Sequence, residues 1–144
     1  MSPPAVQLLR ITRPARMAHL PELLALVEEA CDAANANGDV RYAARLAVEE
    51  IAVNVIDYGY RGRETGPVEL VLAWDEERMT IEIADNAACF APEDAPAPDL
   101  ESGWEERSIG GLGWHLVRRL VDTLAHRYEP GHGNRYTLSK RFAP

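Results

Sequence analysis

Hydrophobic positions along the chain fall into stretches of two different periods. Leu8, Leu9 and Ile11 within Gln7 to Thr12 alternate weakly with polar residues and predict an opening strand. From about Met17 to Asn35, Leu20, Leu23, Leu24, Val27 and Cys31 recur at helical spacing, with Asn37-Gly38 as the expected stop. A second helix is predicted from about Val40 to Tyr58, broken by Gly59-Tyr60-Arg61-Gly62. Val68 to Trp74 and Met79 to Ala84 are short β-rich runs around the charged turn Asp75-Glu76-Glu77-Arg78, the pattern of an antiparallel hairpin. Ala91 to Gly103 has neither period; its Pro, Ala and acidic content reads as a long loop, and such loops in small domains are often lids. Gly110-Gly111-Leu112-Gly113 then leads into a third helix carrying Leu116, Val117, Leu120 and Val121. Ala125 to Tyr128 and Tyr136 to Phe142 predict two closing strands around Gly131-His132-Gly133-Asn134. Grouped in this order, the elements predict an α+β two-layer sandwich, a mixed or antiparallel sheet with about three helices on one face.

Composition narrows the class. The 144 residues fit a single domain, 1–144, and with 47% hydrophobic and 26% charged residues the chain has the balance of a folded soluble protein. A net charge of −8 argues against direct nucleic-acid binding, which needs clustered Lys and Arg; Arg118, Arg119 and Arg127 make only a local basic patch. No apolar run approaches the ~20 residues of a membrane span, and Met1 to Ala5 shows no secretory pattern, so a cytoplasmic protein is expected. Cys31 and Cys89 are then expected to be free thiols.

Candidate chemistry begins on the second helix. At ~100° per residue, Glu50, Asn54 and Asp57 project into one sector of about 60°, flanked by Leu46, Ala47, Ile51 and Val53. Arg45 and Glu49 lie in another sector and are expected to pair in solvent. The polar stripe has two readings. Its members bond to neighbouring elements, or they face a cleft where an Asn oxygen and a carboxylate suit Mg²⁺. Asp85, at the end of the run Thr80-Ile81-Glu82-Ile83-Ala84, is either a turn former or an acceptor for an exocyclic amine such as that of adenine. The glycines at 110, 111 and 113 allow close backbone approach where a helix N-terminus favours phosphate. His115, His126 and His132 lack partners at metal spacing and read as surface or helix positions; Trp104 and Trp114 flank the glycines and read as core or cap packing.

Together these segments resemble the Bergerat-fold ATPases shared by gyrase, MutL and histidine kinases. The resemblance is closest to the anti-sigma-factor serine kinases of the RsbW and SpoIIAB type, and it covers nearly the whole chain. Leu46-Ala47-Val48-Glu49-Glu50-Ile51-Ala52-Val53-Asn54-Val55-Ile56 is similar to that family's N-box, which implies Glu50 as catalytic base and Asn54 as Mg²⁺ ligand, with Asp57 on the same cofactor-binding stripe. Asp85-Asn86-Ala87 resembles the adenine-binding Asp-x-Gly box, with Ala87 in place of the usual glycine. Arg107-Ser108-Ile109-Gly110-Gly111-Leu112-Gly113 resembles the lid end and second glycine box, which implies a lid at about 91–110 and cofactor contacts from Arg107, Gly110, Gly111, Leu112 and Gly113. Gly133-Asn134-Arg135-Tyr136-Thr137-Leu138 resembles the closing strand, where relatives often carry Gly-Thr, so Asn134 is implied as a polar neighbour of adenine. The resemblance implies ATP and Mg²⁺ as cofactors, serine phosphorylation of an anti-anti-sigma (STAS-type) protein, sequestration of a sigma factor, and homodimers. A non-catalytic nucleotide-regulated binding module and a detached histidine-kinase catalytic domain are the alternatives.

Overall fold

The computed structural model describes residues 6–91 and 109–143. Most of the expected lid, with Arg107 and Trp104, lies outside them. Five strands, β1 (Gln7–Pro14), β2 (Pro67–Trp74), β3 (Arg78–Asp85), β4 (Thr123–Glu129) and β5 (Gly133–Arg141), form one sheet in the order β1-β2-β3-β5-β4. Every pairing is antiparallel, which settles the expected choice between a mixed and an antiparallel sheet. The helices are α1 (Leu20–Ala33), entered through the 3₁₀ turn Met17–His19, α2 (Gly38–Asn54), and α3 (Ile109–Leu120).

Alternation along the strands decides which face the helices cover. Met79, Ile81 and Ile83 on β3, Leu70 and Leu72 on β2, and Tyr136 and Leu138 on β5 turn inward. They meet Leu23, Val27 and Cys31 of α1, Val40, Ala44, Ala47, Val48 and Ile51 of α2, and Trp114 and Val117 of α3 in one core. The alanines of α2 let that helix lie close to the sheet and to both neighbouring helices. The opposite sheet face is polar, carrying the Glu82–Arg135 ion pair and a Thr12–Glu69 hydrogen bond of 3.4 Å. A hollow of about 470 Å³ opens there between Thr12, Glu69, Arg127, His132 and Arg135, on the side away from the helices.

The hairpin turn between β2 and β3 forms where its charges predicted it. Asp75 Oδ1 accepts from the N–H groups of Glu77 (2.8 Å) and Arg78 (3.0 Å), and Trp74 pairs with Met79. Two local expectations need correction. Asn37-Gly38 does not stop the first helix but starts the second: Asn37 is the N-cap of α2, its Oδ1 accepting from Val40 N at 3.0 Å. Asn35, in the left-handed conformation at φ 53, ends the first instead. Arg45 reaches Glu28 of α1 at 3.5 Å rather than Glu49, and Arg41 bonds Asp32 at 2.7 Å, so these cations join α1 to α2. Cys31 is buried and Cys89 exposed, both as free thiols.

Candidate functional site

The inward row of β3 runs Met79, Ile81, Ile83 and then Asp85, so strand alternation carries a carboxylate into the end of an apolar core, with 4% of its surface exposed. Its two oxygens are treated differently. Oδ1 accepts from Ala87 N (2.9 Å), Asn134 N (3.2 Å) and Asn134 Nδ2 (2.9 Å), which fixes the carboxylate's orientation. Oδ2 is buried and has no hydrogen-bond partner among the described residues. An acceptor held that way is costly unless a donor reaches it, and an exocyclic amine is such a donor.

Small residues make the turn around Asp85 possible. Gly133 sits at φ 96, and a β-carbon there would overlap the Asp85 carbonyl and Asn86 Cα, so β5 enters the sheet only as glycine. Ala87, in the place of a customary glycine, needs no left-handed backbone: among the described non-glycine residues only Asn35 has positive φ. Its buried methyl lies against Gly59, where a β-carbon would come within 2.9 Å of it, and Ala88 N donates to Gly59 O at 3.3 Å. The Tyr60 hydroxyl accepts from Asn86 N (2.9 Å) and donates to Pro67 O (2.6 Å). Tyr58 stacks on Phe90 with ring centres 6.2 Å apart, and Arg61 lies over Tyr58. The far end of the second helix is thereby fastened to the segment that follows Asp85.

Glu50 and Asn54 lie one turn apart on α2 and are both buried, at 9% and 6% exposure. Gly113 of α3 faces the Glu50 carboxylate so closely that a β-carbon would overlap its carboxyl carbon and both oxygens. Burial, and then the charge of Glu49, push the Glu50 carboxyl up to about 7. Asn54 Nδ2 is buried without a hydrogen-bond partner among the described residues. The stripe's third member separates from this pair. From Val55 to Gly59 the backbone becomes a π turn, which changes the phase of every later residue, and Asp57 is exposed. From Glu50 to Gly59 the axis advances roughly 13 Å, so one helix leads from the glycine-faced carboxylate to the Asp85 turn. Gly110, Gly111 and Leu112 occupy the first turn of α3, whose N-terminal amides favour an anion.

Two residues read as ordinary in the sequence belong to this site. His126, on β4, bonds Asn134 Oδ1 through Nε2 at 2.8 Å. Trp114 is buried, with its ring 6.1 Å from that of Tyr136 and its Nε1 unpartnered among the described residues. His126 was findable by counting the register, because it pairs with Tyr136 and therefore shares a face with Asn134, two residues away. His115 and His132 are exposed, as expected.

A sequence profile described as the histidine kinase-like ATPase domain matches residues 13–140. The chain belongs to the histidine kinase-like ATPase domain family. The matched span contains Glu50, Asn54, Asp85, Gly113 and Asn134, so the family assignment and the buried polar site coincide. Among relatives within this ATPase family, the serine/threonine-protein kinase BtrW of Bordetella bronchiseptica is 26% identical over 105 residues, 73% of each chain. An anti-sigma F factor of Clostridium beijerinckii is 29% identical over 98 residues, 68% of each chain. The serine-protein kinase RsbW of Listeria monocytogenes is 26% identical over 91 residues, 60% of this chain and 58% of that protein. In three dimensions, the crystal structure of the RsbU and RsbW domains of a Mycobacterium tuberculosis protein superposes with a TM-score of 0.63 at 20% identity. It covers 94% of this chain and 32% of the longer one, a likeness of fold. Among the described residues, no helix is long and apolar enough to cross a membrane.

Proposed function

We propose that this histidine kinase-like ATPase domain is an ATP-dependent serine-protein kinase that phosphorylates a small anti-anti-sigma protein of the STAS type and, when unopposed, sequesters a sigma factor. One observation carries the reading: a buried carboxylate, Glu50, raised to about 7 over a glycine and one helical turn from a buried Asn54. Relatives named as serine-protein kinases and anti-sigma factors support the kinase and anti-sigma parts of the reading.

The residues present fit ATP. Asp85 Oδ2 would accept from the adenine amine, and the N-terminal amides of α3 would favour the phosphates. Mg²⁺ binds hard oxygens while keeping several waters. Asn54 would supply one of those oxygens, with nucleotide phosphates supplying others. The bound ion offsets charge on the phosphates during transfer. Glu50 orients the substrate serine and takes its proton as Oγ bonds the γ-phosphorus and the bond to the departing ADP oxygen breaks. A carboxyl near 7 is suited to that exchange at neutral pH, because it is substantially ionised before transfer and basic enough to hold the proton after it.

The test is incubation of the purified protein with ATP·Mg²⁺ and its cognate antagonist, followed by phosphoamino-acid analysis. Acid-stable phosphoserine is expected. An acid-labile phosphohistidine, or no transfer to any cognate antagonist, overturns the reading.

A further inference from the structure

The side chain of Asn134 is fully occupied inside the protein. Its Nδ2 donates to Asp85 Oδ1 (2.9 Å) and to Ala88 O (2.8 Å). Its Oδ1 accepts from Phe90 N at 3.1 Å and meets His126 Nε2 at 2.8 Å. An amide has two N–H donors and one oxygen with two lone pairs, so nothing remains for a ligand. The Asn134 side chain therefore has no free hydrogen-bonding group to offer a base; its contacts lead to Asp85.

Which way an amide points is a question of its partners, and here they answer it. Phe90 N can only donate, and the Asp85 carboxylate and Ala88 carbonyl only accept, so Oδ1 faces Phe90 and Nδ2 faces Asp85. His126 Nε2, facing the same oxygen, must then carry a proton. Its ring also rests on Tyr136, 4.9 Å between centres, which holds the N–H on line.

We infer that His126 is a positioning residue for recognition of a 6-amino purine. Its Nε2–H locks the Asn134 amide, and the amide in turn holds Asp85 Oδ1, leaving Oδ2 aimed as a bare acceptor. Guanine in the same pose presents a carbonyl oxygen at position 6, acceptor against acceptor. The inference rests on the nucleotide reading above and deepens it by assigning base selectivity to a residue that does not touch the base. With the His126 donor removed, Asn134 Oδ1 keeps only Phe90 N, the amide is freer to rotate, and Asp85 Oδ1 is held less firmly by one of its three donors, the other two being the backbone N–H groups of Ala87 and Asn134. Adenine binding through the amine should weaken, while contacts to sugar and phosphate persist.

The experiment is calorimetric titration of the whole protein, without partner proteins, by ATP and by purine riboside triphosphate, in which hydrogen replaces the 6-amino group. His126→Phe keeps a ring on Tyr136 but has no N–H; His126→Gln keeps an N–H donor. The Phe variant is expected to bind ATP roughly three- to tenfold more weakly, with purine riboside triphosphate unchanged and ATP affinity largely restored in the Gln variant. Equal weakening of both nucleotides, unaltered ATP binding, or a Gln variant no better than Phe overturns the inference and leaves the nucleotide reading standing. A wild-type protein that binds neither nucleotide overturns the nucleotide reading and this inference with it, whereas one that binds both alike overturns this inference and leaves nucleotide binding standing. Should His126→Phe fail to fold, His126→Met, also without an N–H donor, takes its place.

Discussion

Gly113 and Glu50 occupy complementary space: the carboxylate on α2 lies where a side chain on α3 would begin. At an exposed helical site, replacing glycine by alanine stabilises by about 1 kcal/mol through propensity alone. At 113 the sign should reverse, because the new methyl displaces a buried carboxylate; Gly113→Ala is expected to destabilise by about 1–3 kcal/mol and to abolish most phosphotransfer. Urea unfolding checks the sign. A raised unfolding midpoint would mean that the carboxylate moves aside freely and that the glycine is not holding its place.

Glu50 also sets a pH dependence. Its folded carboxyl, pushed up to about 7 by burial from an ordinary 4.5, stays protonated where the unfolded chain has already ionised. The folded state therefore binds more protons between those values, and the group's contribution to stability is fully present below about 4.5 and lost as pH rises through 7. The loss is at most roughly 3 kcal/mol. Glu50→Gln, neutral throughout, should melt higher than the wild type at pH 8, with the difference shrinking towards pH 5. Phosphotransfer has the opposite trend: wild-type activity should climb with pH through about 7 as the base ionises. The Gln variant should lose on the order of 10²- to 10⁴-fold in rate while still binding ATP. Parallel melting and single-turnover series across pH 5 to 8 would expose a flat profile, the outcome that contradicts both statements.

The residues that were legible in the sequence owe this to an unbroken period. Asp85 continues the alternate row Met79, Ile81, Ile83, and Glu50 and Asn54 are one α-helical turn apart, so counting places all three. Asp57 is where counting fails, because the projection assumes 3.6 residues per turn and the π turn from Val55 changes the phase. Asn37-Gly38 carries the residues of both a helix end and a helix start, and only the Val40 N bond to Asn37 shows which end it serves. The roles of Gly113 and Gly133 depend on what lies across from them in space, on Glu50 and Asp85. No local pattern contains that information.

Asp85→Asn tests the acceptor directly. The amide can keep one oxygen towards Ala87 N and the Asn134 donors, but it then turns an N–H₂ group towards the adenine amine, donor against donor. ATP affinity should fall by about ten- to a hundredfold, with the fold retained in circular dichroism. Binding as tight as that of the wild type would show that Oδ2 does not meet the amine.

Gly59 and Ala87 share a single methyl's worth of space, and exchanging them tests whether the alanine in the Asp85 turn is accommodated by the π turn. Gly59 has no positive φ, so alanine there meets no backbone strain, only the Ala87 methyl 2.9 Å away. Gly59→Ala alone should destabilise by about 1–3 kcal/mol, and Ala87→Gly alone by roughly 0.5–1 kcal/mol through the freer unfolded chain. In the double variant the methyl sits on the other side of the same contact. Its loss should be smaller than the sum of the two single losses by about 1 kcal/mol or more, a coupling typical of residues in contact. Urea unfolding of all four proteins measures that coupling. Strict additivity would mean that the two segments yield independently, and that the end of the second helix does not clamp the Asp85 turn.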